Sequence, residues 1–513
     1  MLLETLAAYA ANRTESAPLP LGSAPYTSSD SFKRTRCDPK VVAKRWDHRF
    51  SLEGSHRTQS TLKASSRVRN PTAIISLGTA RPAPEYYPWQ SITIRTEDPR
   101  GNQGSKNESS VVVSCDKGEN GYDLGIVLNY GHAAGSPQVL RFITEHVEMI
   151  HNPPYSDWNT SLTCGTTSAI EIVLRMLCNR GDSVLAEAFT YPGTIEAAKA
   201  LGLDMVGIKM DNKGMLPDDL DLTLKNWEDA RGPKPSVIYI IPSGQNPTGA
   251  TQPIERRNAI YEIAEQHDLL ILEDDPYYFI QLEEVTHTKH SPTLLTRSSD
   301  EYLQKLPPSY VSLDKSGRVL RLDATSKILA PGLRCGWITG CSQLIAKFIN
   351  HTEMSTVSPS GPSQALLYKL LDETWGHEGF VQWLNYLSSQ YRQRLETLVA
   401  ACERYIPAGL CKWATPSAGL FLWIQIDWSQ HPAAVPDNYV GGWQEASLNI
   451  EDRIYEAARD HGVLVSKGSW FSAEQHLLHD VHFRMTFAAA DDDALDEAVK
   501  RFGEAIREEF NII

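Results

Sequence analysis

The stretch Ser236-Val-Ile-Tyr-Ile-Ile-Pro-Ser-Gly-Gln-Asn246-Pro-Thr-Gly249 decides the fold. Residues 237–241 are uninterruptedly apolar, whereas a half-exposed strand would alternate polar and apolar positions. An unbroken run closed by proline suits a strand buried on both faces. Working outward, residues 254–267 read as a helix and 269–273 as another strand. Upstream come a strand at 182–186, a helix at 194–201 and a strand at 204–209. A helix carries Ile170, Val173, Leu174 and Leu177 on one face and opens after Gly165. Strand-helix alternation of this kind predicts an α/β layer with a mostly parallel sheet.

A second stretch, Arg321-Leu-Asp-Ala-Thr-Ser-Lys327-Ile-Leu-Ala-Pro-Gly-Leu-Arg334-Cys-Gly336, holds one amine in a polar turn between two β-like runs, with a guanidinium close by. A lysine loses its charge readily on burial and an arginine does not, so the pair suits Schiff-base chemistry beside an anion. Taken alone, both residues read better as solvated loop positions. Their company changes the odds. Tyr191, Asn246, Asp274, Tyr277 and Lys327 each follow a predicted strand, and open α/β sheets bind ligands outside the carboxyl ends of their strands. Glu273-Asp274-Asp275 would be costly at a buried strand end unless paired. A protonated ring nitrogen at about 4 Å would attract a carboxylate by roughly 4 kcal/mol at an effective dielectric near 20. Gly165-Thr166-Thr167 opens a helix and is either an anion site or an ordinary N-cap.

The chain has 513 residues, enough for two or three domains, and a formal charge of -14, which disfavours a nucleic-acid partner. Its 8 cysteines are scattered without metal-ligand spacing, which predicts reduced thiols and no metal site. No apolar run is long enough to cross a membrane, and the start lacks a basic leader, so a cytoplasmic protein is expected. Residues 1–70 read as an N-terminal arm, partly irregular, with Trp46 and Phe50 as anchors. Residues 71–125 read as the N-terminal part of a small domain, with a strand near 73–77 and a surface insertion at 98–122. Residues 126–345 form a large α/β domain with a second insertion at 284–316, and residues 346–513 a smaller α+β domain. In that last part, 463–466 and 481–487 read as strands, and Asp491 caps a final amphipathic helix.

Gly244-Gln-Asn246-Pro-Thr-Gly, Asp274-Asp-Pro-Tyr277, Ser326-Lys327 and Gly332-Leu-Arg334-Cys-Gly resemble the pyridoxal-phosphate (PLP) aminotransferases of fold type I. The resemblance is to fungal aromatic amino-acid aminotransferases and kynurenine/2-aminoadipate aminotransferases. Leu128-Asn-Tyr130-Gly, Gly468-Ser-Trp-Phe471 and Arg484 belong to it as well. It implies a PLP-dependent transferase fold: a large domain with a mostly parallel sheet flanked by helices, plus a smaller α+β domain. It further implies that Lys327 carries the cofactor covalently, Asp274 pairs with the ring nitrogen, Tyr277 and Asn246 bond the phenolic oxygen, and Tyr191 stacks on the ring. Gly165, Thr166, Thr167, Ser326 and Arg334 would hold the phosphate. Tyr130 would reach the phosphate of a neighbouring subunit, which implies a homodimer. Arg484 would grip the substrate α-carboxylate beside Asn246, with Phe421 as an apolar wall or simply a core residue. The implied activity is transamination between an amino acid, aromatic by resemblance, and a 2-oxo acid such as 2-oxoglutarate. Kynurenine or 2-aminoadipate is the alternative substrate, and a PLP lyase the alternative chemistry. A PLP-binding transcription regulator would need a basic helix-turn-helix module, and residues 1–70 lack paired amphipathic helices. The sequence departs from the family at Ala324, where relatives carry a hydroxyl, so Thr325 or Ser326 is expected to compensate. It departs again at Lys467, where relatives often have proline.

Overall fold

The structure is a computed structural model, and it describes residues 2–20, 22–34, 40–60, 80–97, 99, 110–282, 298–434, 442–474 and 480–512. The expected strand near 73–77 lies outside the described residues. The chain divides into two compact units.

The first unit takes in Met1–Asn179, Leu269–Pro276 and Arg297–Asn385. Its strands Trp158–Thr163, Gly336–Cys341, Val319–Ala324 and Leu270–Asp274 lie side by side in that order. The last two are parallel, while Gly336–Cys341 runs against both of its neighbours. Residues 325–335 link it to Val319–Ala324, a connection without the crossover helix by which parallel partners are usually joined. Every residue of the strands Gly336–Cys341, Val319–Ala324 and Leu270–Asp274 is buried, the charged Arg321, Asp323, Glu273 and Asp274 included.

The N-terminal arm is more ordered than its composition suggests. Leu2–Glu15 is a 14-residue helix. Arg13 Nε donates to Glu145 Oε1 at 2.8 Å, its Nη2 lies 2.7 Å from Asp372 Oδ1, and the Tyr9 phenol donates to Glu148 Oε2 at 3.3 Å. The arm docks through polar groups on distant elements as well as through buried Leu2 and Tyr9, so its short apolar stripe alone does not reveal it. Trp46 is fully buried, with the Arg318 guanidinium 5.1 Å from its ring. Phe50 is only half-buried, with the Lys347 ammonium above it at 5.3 Å. Both expected insertions also contain regular structure. Ser110–Asp116 pairs antiparallel with Ser91–Glu97. Ser299–Lys305 is a helix closed by a capping box between Ser298 and Glu301.

The second unit takes in Arg180–Asp268, Tyr277–Thr296 and Tyr386–Ile513. Val237–Ile240, Ser183–Glu187 and Asp204–Ile208 form a parallel run with Ser183–Glu187 in the middle. A separate antiparallel sheet has the order Cys411–Trp413, Phe421–Ile426, Val481–Thr486, Ser466–Lys467. Side chains alternate along it. Leu422, Ile424, Ile426, Val481 and Phe483 are buried, and Phe483 meets Phe502 of the helix Asp492–Glu509 at 5.6 Å. Phe421, Trp423, His482 and Arg484 therefore share the opposite face. The expected strand at 463–466 shrinks to Ser466–Lys467, and Leu464 is 79% exposed. Asp491 caps the last helix by accepting from Ala494 N at 2.9 Å. Among the described residues no helix is long and apolar enough to cross a membrane.

Replacing a fully buried tryptophan by alanine removes its apolar contacts and leaves a cavity. Trp46→Ala is therefore expected to destabilise the protein by about 3–5 kcal/mol, read as a lower urea midpoint with an unchanged slope.

Candidate active site

In the first unit, Lys327 sits on a tied-down turn. Thr325 N and Oγ1 both donate to Cys335 O, at 3.1 and 2.8 Å, which folds the chain back at the end of Val319–Ala324. Leu329 N donates to Thr325 O at 2.8 Å, and the Trp383 indole N–H to Ile328 O at 2.6 Å. The lysine is thus presented half-buried from a rigid support. These bonds also correct one expectation. Thr325 is buried and its hydroxyl is engaged with Cys335, so it does not replace the hydroxyl missing at Ala324. Ser326, half-buried, is the hydroxyl left available.

Arg334 and Gly165 meet at the start of the 12-residue helix Thr166–Leu177. Gly165 has φ +90, and a Cβ on it would fall 2.6 Å from Arg334 Nη2. Only glycine tolerates both that backbone and that approach. Arg334 Nη1 donates to Pro331 O at 3.2 Å and Nη2 to Cys164 O at 3.5 Å, and among the described residues no carboxylate pairs with it. Thr166 is half-buried and Thr167 exposed, and no side chain caps the helix, so its first-turn N–H groups and the guanidinium form an anion cradle.

Glu273-Asp274-Asp275 separates into two roles. Arg321, wholly buried, donates from Nη1 to Glu273 Oε1 at 2.8 Å and to Asp275 Oδ2 at 3.4 Å, and from Nη2 to Asp323 Oδ1 at 2.8 Å. Glu273 also accepts from Tyr310 N and Val311 N, at 2.9 and 3.2 Å. Burial works against the guanidinium charge, but Asp323, Glu273 and Asp275 outweigh it and hold Arg321 well above its ordinary value. Burial raises Asp323, against the pull of Arg321. The two outer carboxylates of the triplet are thus structural. Asp274, buried between them and paired in register with Leu322, alternates to the other face of the strand. Tyr130 stands apart: it is 59% exposed, and its phenol makes no hydrogen bond among the described residues.

In the second unit the geometry centres on Arg484. Its guanidinium lies 4.6 Å from the Phe421 ring and 4.7 Å from the Phe471 ring. Nη1 donates to Asn246 Oδ1 at 2.7 Å and Nη2 to Ser466 Oγ at 3.3 Å. Nε is buried without an acceptor, and no carboxylate pairs with the group among the described residues. Burial pulls Arg484 below its ordinary value, while the nearby Tyr277 and Tyr191 phenols push the other way. Tyr277 meets Phe421 edge-on at 5.3 Å. The unit therefore assembles Tyr191, Asn246, Tyr277 and Phe421 around one half-buried cation, Arg484.

Asn246 is fixed by its own loop. The Gln245 amide donates to Phe189 O at 2.6 Å and to Glu187 Oε2 at 3.2 Å, while its oxygen accepts from Thr248 N and Oγ1 at 2.9 and 2.7 Å. Gly244 packs so tightly on Gly419 that a Cβ on it would lie 2.4 Å from the Gly419 Cα.

A family model described as aminotransferase class I and II matches residues 112–502. The chain belongs to this family. It is 50% identical over 475 residues to aminotransferase swnA of Arthroderma benhamiae, covering 92% of this chain and 93% of that one. An aromatic amino acid aminotransferase of Schizosaccharomyces pombe is 37% identical, covering 90% of this chain and 98% of that one. Among solved structures, aminotransferase Aro8 from Candida albicans matches with a TM-score of 0.85 and 35% identity, covering 92% of this chain and 100% of that one. The protein is thus an aminotransferase with the α/β fold of this family.

Sequence reasoning missed three aminotransferase residues around Arg484. Phe471 belongs to a motif quoted above but carried no role. Ser466 and Trp423 were hidden in ordinary strand runs, where only the alternation that places them on the face of Arg484 marks them.

Behind Arg484, His482 stacks on Trp423 at 4.9 Å and 11°. Burial pulls its imidazole down to about 4, against the opposing charge of Asp480. An unfolded histidine titrates near 6.5, so between those values the unfolded chain binds the extra proton and stability falls as pH drops. The buried histidines His146 and His151 act in the same direction. His482→Phe is expected to recover up to roughly 3 kcal/mol of the stability that the native protein loses between pH 7 and 4, measured by urea unfolding across that range.

Proposed function

We propose that this aminotransferase uses pyridoxal 5'-phosphate to exchange amino groups between an aromatic amino acid and a 2-oxo acid such as 2-oxoglutarate, working as a cytoplasmic homodimer. The observation that carries the reading is Arg484: a half-buried cation without a carboxylate partner among the described residues, held between two phenyl rings. A planar fork in that setting suits an α-carboxylate, which both amino acids and oxo acids possess. The aromatic preference is supported by the name of the Schizosaccharomyces relative.

The residues also fit the cofactor. The cradle of Gly165, Thr166, Thr167 and Arg334, with Ser326 adding a hydroxyl, suits a phosphate dianion. Asp274 would keep a proton on the ring nitrogen, since a nearby carboxylate favours the charged pyridinium. Tyr277 and Asn246 would donate to the phenolic oxygen, Tyr191 would cover one ring face, and Tyr130 would serve the phosphate of the second subunit. When bound, the cofactor supplies an electron sink that lets the substrate Cα–H ionise. Lys327 would anchor the cofactor and, once freed by the incoming amine, move the Cα proton as general base and then as acid. Asn246 serves both ends of this arrangement, because its oxygen orients Arg484 while its amide nitrogen remains to donate.

Two half-reactions sharing one carboxylate grip predict a common defect. Arg484→Ala is expected to lower kcat/KM about 10²–10³-fold for the amino acid and the oxo acid alike, because a charge-paired hydrogen bond is lost in both. Lys327→Ala should lose turnover and all pyridoxyl labelling by borohydride. A panel of tyrosine, phenylalanine, kynurenine and 2-aminoadipate under single-turnover conditions tests the side-chain preference. Labelling at another lysine, or unchanged turnover by Lys327→Ala, would overturn the assignment.

A further inference from the structure

Cys164 and Cys335 face each other across the end of a β-ladder. Trp158–Thr163 and Gly336–Cys341 pair antiparallel, in a register that joins Cys341 to Trp158 and Gly336 to Thr163. One step past that last pair sets Cys335 opposite Cys164. The kind of pair follows from hydrogen bonds at the other end. Ser342 N donates to Asp157 O at 2.7 Å, so that pair is of the hydrogen-bonded type. Types alternate along a ladder, and Cys335–Cys164 lies an odd number of steps away, so it is of the non-bonded type. Two further contacts agree. Cys335 O is turned away to accept from Thr325, and Leu162 N, of the same parity as Cys164, points away to Ala134 O at 2.9 Å. Non-bonded pairs hold their Cα atoms about 4.5 Å apart with both side chains on one face. Disulfides span Cα separations of about 4.4–6.8 Å.

The two thiols differ in access. Of the described cysteines, Cys164 alone is partly exposed, with Sγ 3.5 Å from Thr356 Oγ1, and the others are buried. Burial, with Cys164 adding to it, pushes the Cys335 thiol up to about 12. Cys164 is thus the residue that meets a solution oxidant, and Cys335 the one that resolves the product.

We propose that Cys164 and Cys335 form a reversible thiol–disulfide site, oxidised by hydrogen peroxide, that loosens the anion cradle. In the first step the Cys164 thiolate attacks one peroxide oxygen, the O–O bond breaks, and the leaving hydroxide takes up a proton as water, giving a sulfenic acid. In the second, Cys335 Sγ attacks the Cys164 sulfur as it gives up its proton, the S–O bond breaks and a second water leaves. Two thiols lose two electrons and two protons, and one peroxide becomes two waters. Cys164 immediately precedes Gly165 and Cys335 immediately follows Arg334. Disulfides favour Cα separations of about 5.5–6 Å, so bridging widens this end of the ladder and draws Arg334 off the helix N-terminus. That consequence rests on the cradle holding the phosphate of the proposed cofactor.

The test treats the purified PLP-loaded protein with hydrogen peroxide, alkylates it and maps its peptides without reduction. The expected result is a linked 164–335 peptide that disappears on adding reductant and never forms in Cys164→Ser or Cys335→Ala. The oxidised protein should release PLP several-fold faster on dialysis, with recovery on reduction and no such response in either variant. Overoxidised or unmodified Cys164 with no linked peptide would overturn the pairing. A linked peptide with unchanged PLP release would overturn the coupling to the cradle. If the protein binds no PLP at all, the cofactor reading falls and the linked peptide still decides the pairing.

Discussion

One wholly buried guanidinium underlies the first unit. Arg321 reaches Glu273, Asp275 and Asp323 at once, and without it three carboxylates at the ends of two adjacent strands would be stranded in a dry interior. Removing one partner from a buried ionic cluster costs on the order of 3–5 kcal/mol, because the remaining charges lose their compensation. The arrangement also sorts three consecutive acids by strand alternation. Two are absorbed into the scaffold, and the one between them is delivered to the opposite side. Chemistry and support thus share a single short acidic segment.

The second unit meets the opposite problem, a cation with no structural anion among the described residues. Arg484 is stabilised by the faces of Phe421 and Phe471 and by two neutral acceptors, Asn246 and Ser466. Ring faces attract a guanidinium without neutralising it. The side chain is held in place while its charge stays available, which is what recognition of an anion needs. Among the described residues no carboxylate pairs with Arg484, so an incoming carboxylate competes with none of them.

Legibility from sequence followed from the kind of force involved. Strand 237–241 was readable because burial on both faces leaves an unbroken apolar run. The residues after the predicted strands were readable because strand ends are where an α/β layer places its chemistry. The helix Leu2–Glu15 was not readable, since its partners Glu145, Glu148 and Asp372 lie more than a hundred positions away and it docks through polar groups. Thr325 and Ser326 could not be told apart, because no local signal distinguishes a hydroxyl left free from one spent on a backbone carbonyl. The strand Ser110–Asp116 was obscured by the glycine- and asparagine-rich residues before it, although its three consecutive valines carry strand propensity.

The contact between Gly244 and Gly419 has a consequence for how this sequence can change. Each backbone occupies the volume a side chain would need on the other, and both residues have positive φ, +52 and +82. Loss of one glycine cannot be rescued by shrinking its neighbour, because that neighbour is already as small as an amino acid can be. Both positions are closed to drift, and the loop presenting Asn246 can diversify only at the residues around them.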